Sequence, residues 1–189
     1  MFLERFINYL QFEKRYSQHT VIAYKNDLTQ FTEYLSSIEQ NVSTAAHAHV
    51  RSWVVYLMDQ QAGLKTINRK LSSVRAFYKF LVRERLVEKN PASMVPAPKI
   101  PKRLPVVVDS VKLSELLDSS YFADDFPGLR DRLVMELLFG TGMRLAELVA
   151  LTESDINHYD QTIKVTGKRN KERIIPVNKS LAKLLSQYL

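Results

Sequence analysis

The sequence predicts a mainly α-helical protein in two parts: a helical bundle at the N-terminus, then a partial α+β unit with a small antiparallel sheet. Three observations predict it. Before residue 90, apolar residues recur at spacings of three and four in four separate stretches, the pattern of helices that bury one face. Five of the seven prolines fall between Pro91 and Pro105, where helix is disfavoured and a boundary between two cores belongs. Beyond residue 160, short runs flank a polar turn, the first alternating apolar and polar side chains as a half-buried strand does.

Each element follows from its own residues. The first helix uses Phe2, Phe6, Tyr9 and Leu10, and the second uses Val21, Tyr24, Leu28, Phe31 and Leu35 after Ser17, a good N-cap. Val50, Trp53, Val54, Leu57 and Met58 define the third, with Gly63 expected to close it in the left-handed conformation. Ile67, Leu71, Val74, Phe77, Tyr78 and Leu81 define the fourth. The proline-rich run reads as an extended, basic connector, so the expected organisation is residues 1–90, a linker at 91–105, and a second domain from 106 to 189. In that domain Asp109 or Ser110 caps a helix reaching about Leu117, and Leu129, Leu133, Val134, Leu137 and Leu138 mark another that Gly140 and Gly142 end. A short helix from Arg144 to Leu151 follows. Then come a strand over Thr162–Thr166, a turn over Gly167–Glu172 that is too long for a two-residue hairpin, a strand over Arg173–Val177, and a helix through Leu181, Leu184, Leu185 and Tyr188.

Composition narrows the function. The chain has no cysteine, which removes disulfides, thiolate metal sites and cysteine nucleophiles together. No stretch approaches the ~18 apolar residues of a membrane helix, and the charged N-terminus has no signal-peptide core. The expectation is a soluble cytoplasmic protein with no membrane partner. The net charge of +7 favours an anionic partner, and it is unevenly spread: residues 1–105 hold 16 basic and 8 acidic groups.

That excess has a face. Arg69, Ser72, Ser73, Ala76 and Arg83 oppose the apolar stripe of the fourth helix, and small residues flanked by arginines let a helix approach a groove while guanidinium groups reach phosphates. The second helix offers an edge through Gln18, His19, Thr20 and Lys25, and Lys99, Lys102 and Arg103 extend the basic surface along the connector. In the second domain, two glycines precede Arg144 at a helix start, so free backbone N–H groups and a guanidinium lie together and suit an anion. Glu147 is placed to hold that guanidinium. Lys168 sits in a turn with Arg169, Lys171 and Arg173, like charges that would lower its proton affinity and suit it as an acid. His47 and His49 point to different helix faces and are poor joint metal ligands, so no metal is expected.

The run Gly140-Thr-Gly-Met-Arg-Leu-Ala-Glu-Leu-Val-Ala-Leu151, with Asp155-Ile156 and Val165-Thr-Gly-Lys-Arg-Asn-Lys-Glu-Arg-Ile-Ile-Pro176, resembles the first half of the catalytic domain of tyrosine recombinases, most closely their Xer-like and phage-integrase branch. Tyr16–Leu28 and Ile67–Leu81 resemble the same family's helical, SAM-like core-binding domain. The resemblance implies metal-free, cofactor-free site-specific DNA recombination, in which a tyrosine attacks the scissile phosphate, forms a 3′-phosphotyrosine and releases a 5′-hydroxyl. Arg144 would stabilise charge on the phosphate, Lys168 would protonate the leaving oxygen, and Glu147 would support the site. The implied partners are a duplex recombination site and further recombinase protomers in a homo- or hetero-tetramer, with no small-molecule substrate. The family also uses a His/Lys-x-x-Arg motif and a later nucleophilic tyrosine, neither of which matches any position after Lys168; Tyr188 continues an apolar stripe and reads as packing. The expectation is a fragment that binds DNA without cutting it, the alternatives being a naturally short, inactive DNA-binding regulator or an RNA-binding protein of the same fold.

Overall fold

A computed structural model describes residues 2–101, 104, 107, 109–118, 121–167 and 170–189. The chain forms two compact units, Met1–Arg103 and Leu104–Leu189. It is mainly helical with one three-stranded antiparallel sheet, the predicted class. Among the described residues no helix is long and apolar enough to cross a membrane.

The first unit is a bundle of α1 (Phe2–Asn8), α2 (Gln18–Ser37), α3 (His47–Asp59) and α4 (Leu64–Arg83). A π-helical turn, Tyr9–Glu13, extends α1, and Arg15 at φ 50° breaks the chain ahead of α2. Ser17 then caps α2, its hydroxyl accepting from the Thr20 amide at 3.4 Å and sharing a 2.9 Å bond with the Thr20 hydroxyl. The stripes read from the sequence meet in one core: Leu28, Phe31 and Leu35 of α2, Val50 and Trp53 of α3, and Ile67, Leu71, Val74, Phe77 and Leu81 of α4 are all fully buried. Phe31 meets Trp53 edge-on with ring centroids 4.9 Å apart, the geometry that sets a positive ring edge against a negative face. Tyr78 is buried with them. Its hydroxyl donates to the Val42 carbonyl at 2.9 Å, which satisfies the one polar atom it brings inside, and burial pushes its pKa up.

Two local expectations change. Gly63 does not close α3: Gln61 takes the left-handed conformation at φ 55°, and Gly63 instead stands extended ahead of α4 at φ −61°. The proline-rich run, expected to be extended, packs against the bundle over its first half. Ala92 and Val95 are buried in the first core, and Arg75 ties the run down by donating to the Ala92 carbonyl at 3.2 Å and to the Val95 carbonyl. Asn68 donates to the Pro98 carbonyl at 2.9 Å. Arg75 is therefore not part of an open cationic surface.

The second unit contains α5 (Ser110–Asp118), α6 (Phe126–Thr141), α7 (Leu145–Val149), the strands β1 (Ile156–Asn157), β2 (Thr162–Thr166) and β3 (Glu172–Pro176), and α8 (Lys179–Tyr188). Asp125 caps α6 by accepting from the Gly128 amide at 2.8 Å, and a Cβ on Gly128 would sit 2.0 Å from the Ala123 carbonyl oxygen, so only glycine fits there. Gly142, at φ 60°, ends α6; Gly140 remains inside its last turn. The sheet order is β1-β2-β3, with Ile163 facing Ile156 on one side and Ile175 on the other. Strand β1 escaped the sequence reading, since two residues show no periodicity. Leu133 and Leu137 of α6, Met143, Ile163 and Val165 of β2, and Leu181 and Leu185 of α8 form the second core. Tyr188 stacks on Phe126 at 5.2 Å and 15°, a packing role as expected.

The bundle's dependence on its aromatic centre is measurable. Phe31→Ala removes a fully buried ring beside Trp53, the chain's single tryptophan, and is expected to destabilise this unit by about 3–5 kcal/mol. Urea unfolding followed by Trp53 fluorescence reads that unit alone, and an unchanged midpoint would contradict the packing described.

Candidate active site

The site in the second unit begins with alternation. Gly142 turns the chain, Met143 is driven into the core at 4% exposure, and Arg144, extended at φ −78° and ψ 151°, therefore points away from it. The side chain of Arg144 is 69% exposed. One turn later, Glu147 points back inward and its side chain is 3% exposed, an unusual place for a carboxylate unless it is paired.

It is paired twice. Arg144 donates from Nη1 to Oε1 at 2.8 Å and from its backbone amide to Oε2 at 2.8 Å. Arg173 of β3 donates from Nη1 to Oε1 at 2.7 Å and from Nη2 to Oε2 at 2.8 Å, a bidentate fork. Each carboxylate oxygen thus accepts two hydrogen bonds. The Arg173 guanidinium, then the Arg144 amide and side chain, hold the Glu147 carboxyl well below the usual carboxylate range, against the opposing effect of burial. Two guanidinium groups share one carboxylate, so one positive charge is left over, and it is available at Arg144. Among the described residues Glu147 is the only hydrogen-bond partner of the Arg144 side chain, which leaves most of that guanidinium open to solvent.

The hairpin is built against the same carboxylate. The Gly167 amide donates to the Lys171 carbonyl at 2.7 Å to close the turn, and a Cβ on Gly167 would lie 3.1 Å from Glu147 Oε1. Any side chain there would press on the carboxylate that orients Arg144. Lys168 follows directly in sequence and, like Lys102 and Arg103, lies outside the described residues.

Two sequence expectations are corrected here. At the start of α7 the Arg144 amide is not free for an anion, because Glu147 Oε2 accepts from it. Arg173 is not a free cation of the turn, because it donates both Nη atoms to Glu147. The sequence reading missed Arg173 as a site residue. Its signal was the strand period, since Arg173 shares a face with Ile175 and pairs in register with Val165, so a charge there points inward and needs a partner.

The basic face predicted on the first unit is partly as expected. His19 and Lys25 are exposed on α2, Thr20 is half-buried against Ser17, and Lys99 is exposed. On α4, Arg69 and Ser72 are exposed, and Ser72 donates to the Asn68 carbonyl. Ser73 does not belong to that face: it is buried, and its hydroxyl donates to Asp27 Oδ2 at 2.8 Å. Arg83 is exposed but engaged, 2.9 Å from Glu84, 3.8 Å from Glu13, and stacked over the Tyr9 ring at 4.2 Å. His49 Nδ1 accepts from the Ala46 amide at 3.1 Å, which makes it a helix cap.

The state of Glu147 gives a pH dependence with a definite sign. Its pKa is lower folded than its ordinary value of 4.5, so the stability it contributes is fully present above about pH 4.5 and is lost as pH falls towards the folded value. Glu147→Gln should lower the protection of the β2 and β3 amides at neutral pH and flatten their dependence below pH 4.5, as read by hydrogen exchange. Retention of the wild-type acid response by that variant would refute the assignment.

Known proteins share this chain's sequence and fold. Residues 3–85 match the phage integrase N-terminal SAM-like domain and residues 110–189 match the phage integrase family. The chain is 35% identical over 189 residues to the tyrosine recombinase XerC of Bacillus subtilis (strain 168), covering 100% of this chain and 62% of that protein. It is 38% identical over 188 residues to the tyrosine recombinase XerC of Myxococcus xanthus, covering 99% of this chain and again 62% of the relative. The fold resembles that in a crystal structure of a lambda integrase dimer bound to a COC′ core site, with a TM-score of 0.74 at 18% identity, over 98% of this chain and 52% of that one. The chain spans somewhat under two thirds of the length of the two XerC recombinases and about half of the lambda integrase chain. Both domain descriptions match, in order and over most of its residues, and the chain belongs to the phage integrase family of tyrosine recombinases.

Proposed function

We propose that this chain takes part in site-specific recombination of duplex DNA, supplying the DNA-binding face and the charge-stabilising half of a strand-cleavage site. The observation that carries the reading is the exposed Arg144 guanidinium, held by a buried carboxylate that Arg173 holds in turn. In the reaction a tyrosine oxygen attacks phosphorus as the bond from phosphorus to the 5′-oxygen breaks, leaving a 3′-phosphotyrosine and a 5′-hydroxyl. Arg144 would donate to the non-bridging oxygens as their charge grows, and loss of one such donor costs on the order of 10² to 10³ in rate. Lys168 would give its proton to the departing 5′-oxygen. The packing of Gly167 against Glu147 supports that role, because it ties the residue before Lys168 to the carboxylate that orients Arg144.

Residues 1–189 contain no His/Lys-x-x-Arg motif after Lys168, and the one tyrosine there at the C-terminal end, Tyr188, is stacked on Phe126. By themselves they bind DNA and do not cleave it. We read the compartment as the cytoplasm, and the dimeric state of the lambda integrase on its core site supports further protomers as partners.

Two measurements test this reading. A suicide substrate that traps phosphotyrosyl intermediates should give no covalent adduct with residues 1–189, and any adduct would overturn the assignment of the missing nucleophile. Duplex binding should weaken with salt at a log-log slope of about −4 to −5 if roughly five phosphates are neutralised. A flat response would remove the basic face from the contact surface.

A further inference from the structure

The first unit holds a second buried carboxylate, and the recombination chemistry does not use it. Asp27 of α2 is 1% exposed, and among the described residues its ion-pair and side-chain hydrogen-bond partners, Arg69, Lys70 and Ser73, come from α4. Arg69 Nη1 donates to Oδ2 at 2.5 Å, Ser73 Oγ donates to the same oxygen at 2.8 Å, and Lys70 Nζ lies 3.7 Å from Oδ1 while also donating to Gln30. Stability alone does not account for this arrangement. A well-packed apolar pair at the contact of α2 with α4 would hold the two helices as firmly, because the cost of desolvating a buried ion pair offsets much of its attraction.

What the carboxylate does is hold Arg69. The Arg69 side chain is 50% exposed, and among the described residues Asp27 is its only hydrogen-bond partner. One amino group is therefore gripped inside while the remaining donors face outward. One turn further along the same helical face stands Ser72, exposed and small enough to let a duplex come close. An arginine free to swing would lose side-chain entropy on binding, and one already held in place does not. We propose that Asp27 is a positioning residue for DNA contact, orienting the Arg69 guanidinium so that its outer edge meets a backbone phosphate. The proposal rests on the reading of the first unit as a duplex-binding face and names the residue that preorganises it.

The test turns on a sign. Asp27→Asn removes a negative charge from a chain of net charge +7, so a carboxylate that only repelled DNA or only packed would leave duplex affinity equal or higher. A positioning role gives the opposite result. Affinity should fall about 8-fold at 0.1 M salt, and the log-log salt slope should become shallower by about 0.9, the counterion-release values of one phosphate contact. Arg69→Gln should lose the same amount, and Asp27→Asn should then cost nothing further in that background. Because Asp27→Asn leaves the Lys70 ammonium buried with Gln30 alone, the pair Lys70→Met and Lys70→Met with Asp27→Asn is compared as well, with Trp53 fluorescence reporting that the bundle is folded. Equal or tighter binding by folded Asp27→Asn, or an undiminished loss in the Arg69→Gln background, overturns the proposal. Absence of salt-dependent duplex binding by the wild-type chain would instead sink the functional reading beneath it.

Discussion

The second unit is organised around one carboxylate shared by two arginines. Glu147 receives Arg144 from the turn after α6 and Arg173 from β3, and Gly167 closes the hairpin against it. The turn that leads into α7 and the β2–β3 hairpin are therefore registered at one point. A buried carboxylate with a single partner would either draw that partner inward or stay under-satisfied; with four donors on its two oxygens it is saturated, and Arg144 can stay largely in solvent. The surrounding fold serves this arrangement. Met143 anchors one side of Arg144, and the Val165–Arg173 register fixes the height at which Arg173 reaches Glu147.

The first unit repeats the device with different residues. Asp27 is buried, Arg69 is half in solvent, and Ser73 and Lys70 complete the carboxylate's partners as Arg173 completes those of Glu147. In both units an acid inside holds a base outside. The shared logic is electrostatic: an arginine is useful to a polyanion when its charge is exposed and its orientation is fixed, and a desolvated carboxylate supplies the fixing without covering the outward donors. Lysine would serve poorly at either place, since its point charge has no second edge to present.

The helices and the identity of Arg144 and Glu147 as a pair were legible in the sequence, because a 3.6-residue period and a separation of three are local facts. What depended on pairing across the chain was not. Arg173 looked like one more cation in a crowded turn until the register with β2 turned it inward. Ser73 lies near the border between the apolar stripe of α4 and its open face, and only the presence of Asp27 across the helix contact decides which side it joins. Gly63 invited a helix-closing role by composition, yet Gln61 took the left-handed conformation two residues earlier. Arg75 is one of the 16 basic groups of residues 1–105, yet its Nε and Nη2 are spent on the carbonyls of Ala92 and Val95. A count of charges measures the field around a protein, whereas the number of open donors depends on which cations the fold has already used.

That distinction decides which of the two arginines at Glu147 keeps open donors. Their charges are identical, but Arg173 spends both Nη atoms on the carboxylate and is 39% exposed, while Arg144 spends one and is 69% exposed. The leftover positive charge of the trio therefore emerges at Arg144. Moving a second carboxylate near Arg144 would cancel it, and removing Arg173 would let Glu147 draw Arg144 into a closed pair. The Arg144 guanidinium stays open to solvent because the acid that holds it is shared between the two arginines and fully satisfied.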